Sequence, residues 1–304
     1  MDRLRAMSVF VSVVERGSFA AAAEHLGLSR TAVSRHVMEL EAHLGVTLLN
    51  RTTRRVSLTV AGTAYFERTS GILEEIEEAD NEAATQTNAP HGRVRVSAPM
   101  SFGILHIAPR LRQYMDAYPD VMIDLALNDR KVDLIEEGFD LTVRIGQLDD
   151  SSLISRKLSA SRVRACAAPE YLENHGNPSH PDQLKDHICL CYSHWSGNNS
   201  WQFTGPDGGA ISVPLNNRLW SNNGDALLRA AVSGLGIIYQ PDFIAYDALR
   251  RGELVEILDG FTGPEVGIYV LYGRTAFMPT RVRTFIDFLV HSFARDVPWA
   301  SCGR

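Results

Sequence analysis

Apolar residues recur at helical spacing from the first turn of the chain. Leu4, Met7, Phe10, Val11 and Val14 fall on one face over residues 4–14, and Gly17 ends that helix. Ser18 is a candidate N-cap for a second, Ala-rich helix over 19–26. Gly27-Leu28-Ser29 makes a short turn, and Ser29 caps a third helix running to about His43. Two short helices joined by a Gly-containing turn have the helix-turn-helix pattern. In the third helix Val33, Val37, Leu40 and Leu44 fall within about 60° of one another and form the buried stripe. Thr31, Arg35, Met38 and Ala42 point the opposite way, with Ser34 at the edge. That exposed face is short, polar and cationic at its N-terminal end, which suits insertion into a DNA major groove.

Residues 50–58 place Arg51, Arg54 and Arg55 among Thr52, Thr53 and Ser57, between apolar ends. The pattern predicts a β-hairpin wing whose cations reach phosphates or a minor groove. From Thr59 a long helix is predicted to about Thr87, roughly 40 Å in length. Tyr65, Ile72 and Ile76 form one apolar line on it, with Phe66 and Leu73 alongside. Glu74, Glu75, Glu77, Glu78 and Glu82 crowd the other side. A solitary amphipathic helix of this length needs a partner for its stripe, so pairing with a second subunit is expected. Residues 86–92 then read as a hinge.

Beyond residue 93 the pattern changes to alternating strands and helices. Strands are predicted at 94–98, 122–127 and 141–145, with helices at 104–118 and 132–137. The alternation resumes with strands at 164–168, 188–192, 236–239 and 266–272 and helices at 169–175, 225–233, 241–250 and 280–294. Such an order implies parallel sheets in two α/β lobes. The predicted organisation is a DNA-binding head over 1–58, a linker helix over 59–89 and a two-lobed domain over 90–304. One lobe takes about 93–165 and 267–304, the other about 166–266. Trp201-Gln202-Phe203 alternates like a strand and is expected in the core.

Charge sharpens this picture. The 304 residues carry a net charge of −6, which taken alone argues against nucleic acid. Yet residues 1–58 hold eight Arg and five acids, residues 59–89 one Arg and seven acids. A basic head on an acidic body suits contact with DNA through the head alone. No run of about 18 apolar residues is present, and the first segment is interrupted by Glu15 and Arg16, so neither a membrane span nor a signal peptide is expected. A cytoplasmic chain follows. The four cysteines, Cys166, Cys189, Cys191 and Cys302, match no disulfide framework or metal-ligand spacing, and no cofactor or metal is expected. A hydrolase elbow, a His-Glu-x-x-His pair and a phosphate-binding Gly loop are all missing, which argues against an enzyme.

The stretch from Phe19 to Val37, followed by Leu40-Glu41 and Leu44-Gly45-Val46, resembles the LysR-type transcriptional regulators. Residues 49–55 and Leu58-Thr59-Val60-Ala61-Gly62 resemble that family's wing and the start of its linker helix. Residues 93–99, Glu136-Glu137-Gly138-Phe139-Asp140 and Arg144-Ile145-Gly146 resemble its effector domain. The resemblance covers essentially the whole chain. It implies a winged helix-turn-helix, a linker helix and a two-lobed effector domain like a periplasmic binding protein. It also implies a homotetramer built from two dimers, bound to inverted-repeat promoter DNA and modulated by a small molecule between the lobes. Arg30, Thr31 and His36 depart from the Gln, Pro and Gln common there, and Val60 replaces a residue that is often acidic.

DNA contacts are expected from Ser29, Arg30, Thr31, Ser34 and Arg35 on the third helix, and from Arg51, Thr52, Thr53, Arg54 and Arg55 on the wing. Effector contacts are expected where strands end and helix N-termini begin. In the first lobe these are Met100, Ser101, Phe102, Asn128, Arg130, Arg144 and Gly146. In the second they are Ser193, His194, Asn222, Asn223, Gln240 and Pro241. Arg130 and Arg144 would favour an anionic effector, or else serve as surface or lobe-bridging ion pairs. A redox-sensing regulator built on Cys189 or Cys191 is the rival within the family, and a solute-binding protein a distant one.

Overall fold

The computed structural model describes residues 1–304 apart from 52–55, 84–88, 131, 135, 149–151, 194–199, 275–277, 295–296 and 302–304. The chain divides into two compact units, Met1–Ala89 and Pro90–Arg304.

The first unit holds three short helices, α1 (Arg3–Arg16), α2 (Phe19–Leu26) and α3 (Arg30–Leu44). Each begins at an oxygen-bearing cap. Asp2, Ser18 and Ser29 accept from the backbone N–H three residues on, and each helix closes on a glycine at positive φ. The hairpin β1 (Leu49–Arg51) and β2 (Val56–Leu58) pairs Leu49 with Leu58 and Arg51 with Val56. The helix α4 (Val60–Ala83) follows. Thr59 caps α4, its hydroxyl accepting from Gly62 N at 2.9 Å and donating to Thr47 O at 2.8 Å. Gly62 is required there, because a Cβ would run into the Leu48 carbonyl oxygen. Phe10, Val33, Val37, Leu40, Leu48 and Leu49 form the core, fully or almost fully buried. Each large apolar side chain so buried stabilises the head by about 1.5–3 kcal/mol. Tyr65 and Phe66 of α4 close on Phe10, with ring centroids 5.7 and 6.4 Å away. The linker helix is thus anchored to the head at its first two turns. Further along, Ile72 remains 44% exposed.

The second unit begins with β3 (Gly92–Ala98), the single turn α5 (Met100–Phe102), a π-helical turn (Gly103–Ile107) and α6 (Ala108–Ala117). Then come β4 (Val121–Leu127), β5 (Leu141–Ile145), β6 (Ile154–Ala167) and α7 (Pro169–His175). The second lobe continues with β7 (Cys189–Tyr192), β8 (Ser200–Thr204), β9 (Ala210–Pro214), β10 (Asn217–Ser221) and α8 (Gly224–Val232). It finishes with β11 (Ile237–Pro241), α9 (Asp242–Arg250) and β12 (Val255–Glu256), before β13 (Glu265–Tyr272) and α10 (Thr280–Ala294) return to the first lobe. The strand order is β10-β7-β11-β6-β13-β5-β3-β4, with β12 beside β6.

The sheet is mixed rather than parallel. β3 runs parallel to β4 and β5, and β7 parallel to β10 and β11. β13, however, lies antiparallel to β5 and β6, and β11 antiparallel to β6. The reason is topological. The chain leaves the first lobe along β6 and returns along β13, so these two crossings must run in opposite directions. β6 pairs with β13 through residue 162 and with β11 from residue 163 onward. It therefore belongs to both lobes.

The helix expected over 132–137 is absent among the described residues, which form turns there. Arg144 takes the carbonyls of Arg130 and Val132, and Glu137 folds back onto Arg130 and the Asp133 amide. Those side chains draw the segment onto itself. The Glu-Glu-Gly-Phe-Asp motif has a structural account. Asp140 accepts from Arg95 N at 2.7 Å, the Arg95 guanidinium donates to the carbonyls of Glu137 and Gly138, and Gly138 sits at φ +68°. Trp201 and Phe203 are buried, as their alternation predicts.

Candidate functional site

The outer face of α3 carries the first constellation. Ser29 is committed to the backbone: its hydroxyl accepts from Ala32 N and lies 2.9 Å from the Thr31 hydroxyl. Arg30, Thr31 and Arg35 are exposed and Ser34 is half-buried. Arg30 meets no partner among the described residues, and Arg35 touches only Glu39, at 3.9 Å across one helical turn. An exposed i,i+4 pair at that distance holds its arginine weakly. The cationic end of the helix is therefore available to an anionic polymer. The wing residues Thr52, Thr53, Arg54 and Arg55 lie outside the described residues, as does the Arg51 side chain. The hairpin that carries them, β1–β2, is formed as the sequence predicts.

The second constellation lies between the lobes. Asn223 caps α8, accepting from Ala226 N at 2.9 Å, while its Nδ2 reaches Met100 Sδ of the first lobe at 3.0 Å. Gly224 is buried at the same place. A Cβ on it would stand 3.3 Å from both Ser101 Oγ and Gln240 Oε1, so those two side chains converge on this glycine. Ser101 and Gln240 are 4% and 3% exposed. The cleft thus gathers Met100, Ser101, Asn223 and Gln240.

Other predicted effector residues have different surroundings. Phe102 lies in an aromatic cluster with Phe243, Phe293 and Trp299. Gly146 donates to Gly267 O on the crossing strand β13. Asn222 and Ser193 are exposed, and Pro241 is the N-cap position of α9. His194 lies outside the described residues. Arg130 makes a bidentate pair with Glu137, and Arg144 holds two carbonyls. The expectation of an anionic effector rested on these two arginines and loses that footing.

Sequence reasoning passed over three residues that bridge the lobes. Asp129 accepts from Met100 N at 2.9 Å and from the Tyr192 hydroxyl of the second lobe. Burial, together with that carboxylate, raises the Tyr192 pKa above the usual phenol value. His106 projects from the π-helical turn and its Nε2 lies 2.8 Å from Phe243 O in α9. Burial holds the His106 pKa below the ordinary imidazole value, against the raising effect of that carbonyl. The sequence did contain a signal for Asp129: a carboxylate directly after a strand end, beside the start of the first-lobe helix. Nothing in it marked the π turn, which often accompanies functional sites.

The described cysteines are poor redox sensors. Cys166, Cys189 and Cys191 are buried. Burial pushes the Cys189 and Cys191 thiols up to about 12 each, and Cys191 Sγ donates to Asn217 Oδ1. A reactive thiol needs the opposite environment, one that stabilises thiolate.

A head with a capped cationic recognition helix and a wing, followed along the chain by a two-lobed sheet domain, defines a ligand-responsive DNA-binding regulator. The chain matches the family description "Bacterial regulatory helix-turn-helix protein, lysR family" over residues 4–63 and "LysR substrate binding domain" over 87–294. It belongs to the LysR family of transcriptional regulators. It is 40% identical to an HTH-type transcriptional regulator of Xanthomonas campestris, over 97% of this chain and 87% of that one. Among solved structures it is similar to CrgA, a LysR-type transcriptional regulator from Neisseria meningitidis, at 35% identity and TM-score 0.62. That match covers 95% of this chain and 98% of CrgA. It is also similar to the Vibrio cholerae virulence activator AphB, at 30% identity and TM-score 0.61, over 95% and 98% of the two chains.

Proposed function

We propose that the protein binds an inverted-repeat promoter site as a homodimer joined through α4, and that two dimers make the working homotetramer. It acts in the cytoplasm, by binding rather than catalysis. Arg30, Thr31, Ser34 and Arg35 read base edges, Ser29 fixes the start of the helix, and Arg51, Thr52, Thr53, Arg54 and Arg55 grip backbone phosphates. The exposed Ile72 supports a second chain lying along α4. The observation that carries the reading is the pair of exposed arginines at the N-terminal end of a capped helix, Arg30 without a partner among the described residues and Arg35 held only by a loose pair. A small molecule between the lobes shifts the assembly between two DNA-bound shapes, through its different affinity for each. Footprinting on the intergenic DNA upstream of the gene tests the reading. Two protected half-sites about one helical turn apart support it. Uniform weak protection along every fragment sinks it.

A further inference from the structure

Two residues at the edge of the cleft, Gln240 and Asn128, each carry a side-chain amide atom that meets no partner among the described residues. Gln240 Nε2 and Asn128 Oδ1 are buried and meet no hydrogen-bond partner among the described residues. Unpaired buried polar groups are uncommon and each is destabilising. Gln240 is 3% exposed and its Oε1 lies close to Gly224, as does Ser101 Oγ, while Asn128 N donates to Ala98 O two residues before Met100. Gln240 and the backbone of Asn128 therefore border the place where the lobes meet.

Charge at the same place is set by Asp129, the residue after Asn128. Its carboxylate lies on Met100 N and the Tyr192 hydroxyl, so it spans the two lobes. Asp225 stands in the first turn of α8. The arginines of these loops are turned to other work, Arg130 on Glu137 and Arg144 on two carbonyls. A second carboxylate brought in beside Asp129 would meet a like charge and find no guanidinium facing it among the described residues.

We propose that this cleft selects an uncharged carboxamide over the corresponding carboxylate. The carboxamide oxygen accepts from Gln240 Nε2 and its N–H donates to Asn128 Oδ1, while Asp129 repels the anion. This rests on the cleft being the effector site.

The test uses full-length protein and matched probes that differ in charge, namely benzamide and benzoate, nicotinamide and nicotinate, and acetamide and acetate. Binding is read by calorimetry and by thermal shift. In the wild type the amides are expected to bind at least about tenfold more tightly than their acids, because a like charge set against Asp129 costs affinity. Asp129→Asn keeps an acceptor for Met100 N and Tyr192 and is expected to erase that preference. Gln240→Leu removes an unpartnered group, so the fold is expected to hold while the amide response is lost. Carboxylates that bind more tightly than amides and lose binding in Gln240→Leu would overturn the ligand class and leave the cleft reading intact. Amide binding unchanged in Gln240→Leu and Ser101→Ala would place the probes elsewhere and overturn both. Silence from all six probes also overturns the proposal.

Discussion

The two units use arginine in opposite ways. In the head, Arg30 and Arg35 stand exposed on α3, one without a partner among the described residues and the other with a loose one. In the effector domain Arg95, Arg130, Arg144 and Arg164 are all tied to protein oxygens. Arg164 is the extreme case, buried between Asp242 and the half-exposed Glu256. The difference separates two jobs of one side chain. A guanidinium meant for a phosphate or a base must be left open to solvent, while one that shapes a loop must be saturated with acceptors. Net charge summed over the chain hides this division.

Breaking the saturated class should have the largest effect. Asp242→Ala removes the buried carboxylate partner of the Arg164 guanidinium, and should destabilise the effector domain by about 3–5 kcal/mol in urea unfolding. A loss under about 1 kcal/mol would mean that Arg164 finds other acceptors. The head offers a comparison through its core rather than its charges. Leu40→Ala should cost about 2–5 kcal/mol and abolish DNA binding, because Leu40 is fully buried beneath the recognition surface. Retention of tight specific binding would show that the α3 surface does not depend on that packing.

A smaller effect concerns the lobe-bridging histidine. His106 faces Arg110, Asp225 and Asp247 as well as the Phe243 carbonyl. Its pKa is depressed in the folded protein, so the unfolded chain takes up the proton first as pH falls below about 6.5. The stability it contributes is full above that value and declines below it. His106→Gln should flatten the stability profile between about pH 7 and 5 relative to wild type. An unchanged profile would assign the acid sensitivity to other groups, His187 among them. The smallest effect is expected at the thiols. With Cys189 and Cys191 pushed up to about 12, neither should react with iodoacetamide in the native state at neutral pH. Rapid labelling of either would return the redox reading to consideration.

Much of this was legible in the sequence because helices announce themselves by period and cap. Ser18, Ser29, Gly17 and Gly27 mark the head, and α10 spans the residues its pattern predicts. Sheet direction was less legible. Strand alternation suggested parallel pairing, but β6 and β13 cross between lobes in opposite senses, and periodicity within a strand carries no record of its neighbour. The cleft was half legible. Strand ends pointed to Ser101, Asn223 and Gln240, which do come together. Arg130 and Arg144 looked suited to an anion because charge can be read from sequence while partners cannot. Their acceptors, Glu137 and the carbonyls of Arg130 and Val132, come close only because the segment folds onto itself. Asp129 and Tyr192 were missed for the same reason, since 63 positions separate them and the contact exists only across the lobes.

Fluorescence anisotropy of full-length wild type and Arg35→Ala, on the protected inverted repeat and on a scrambled duplex over a salt series, tests most directly whether α3 reads the DNA. A steep fall in wild-type affinity with salt is expected, with a loss of about 1–3 kcal/mol for Arg35→Ala confined to the repeat. An equal loss on both duplexes would reduce Arg35 to a phosphate contact, and no loss on either would contradict the assignment of α3 as the reading helix.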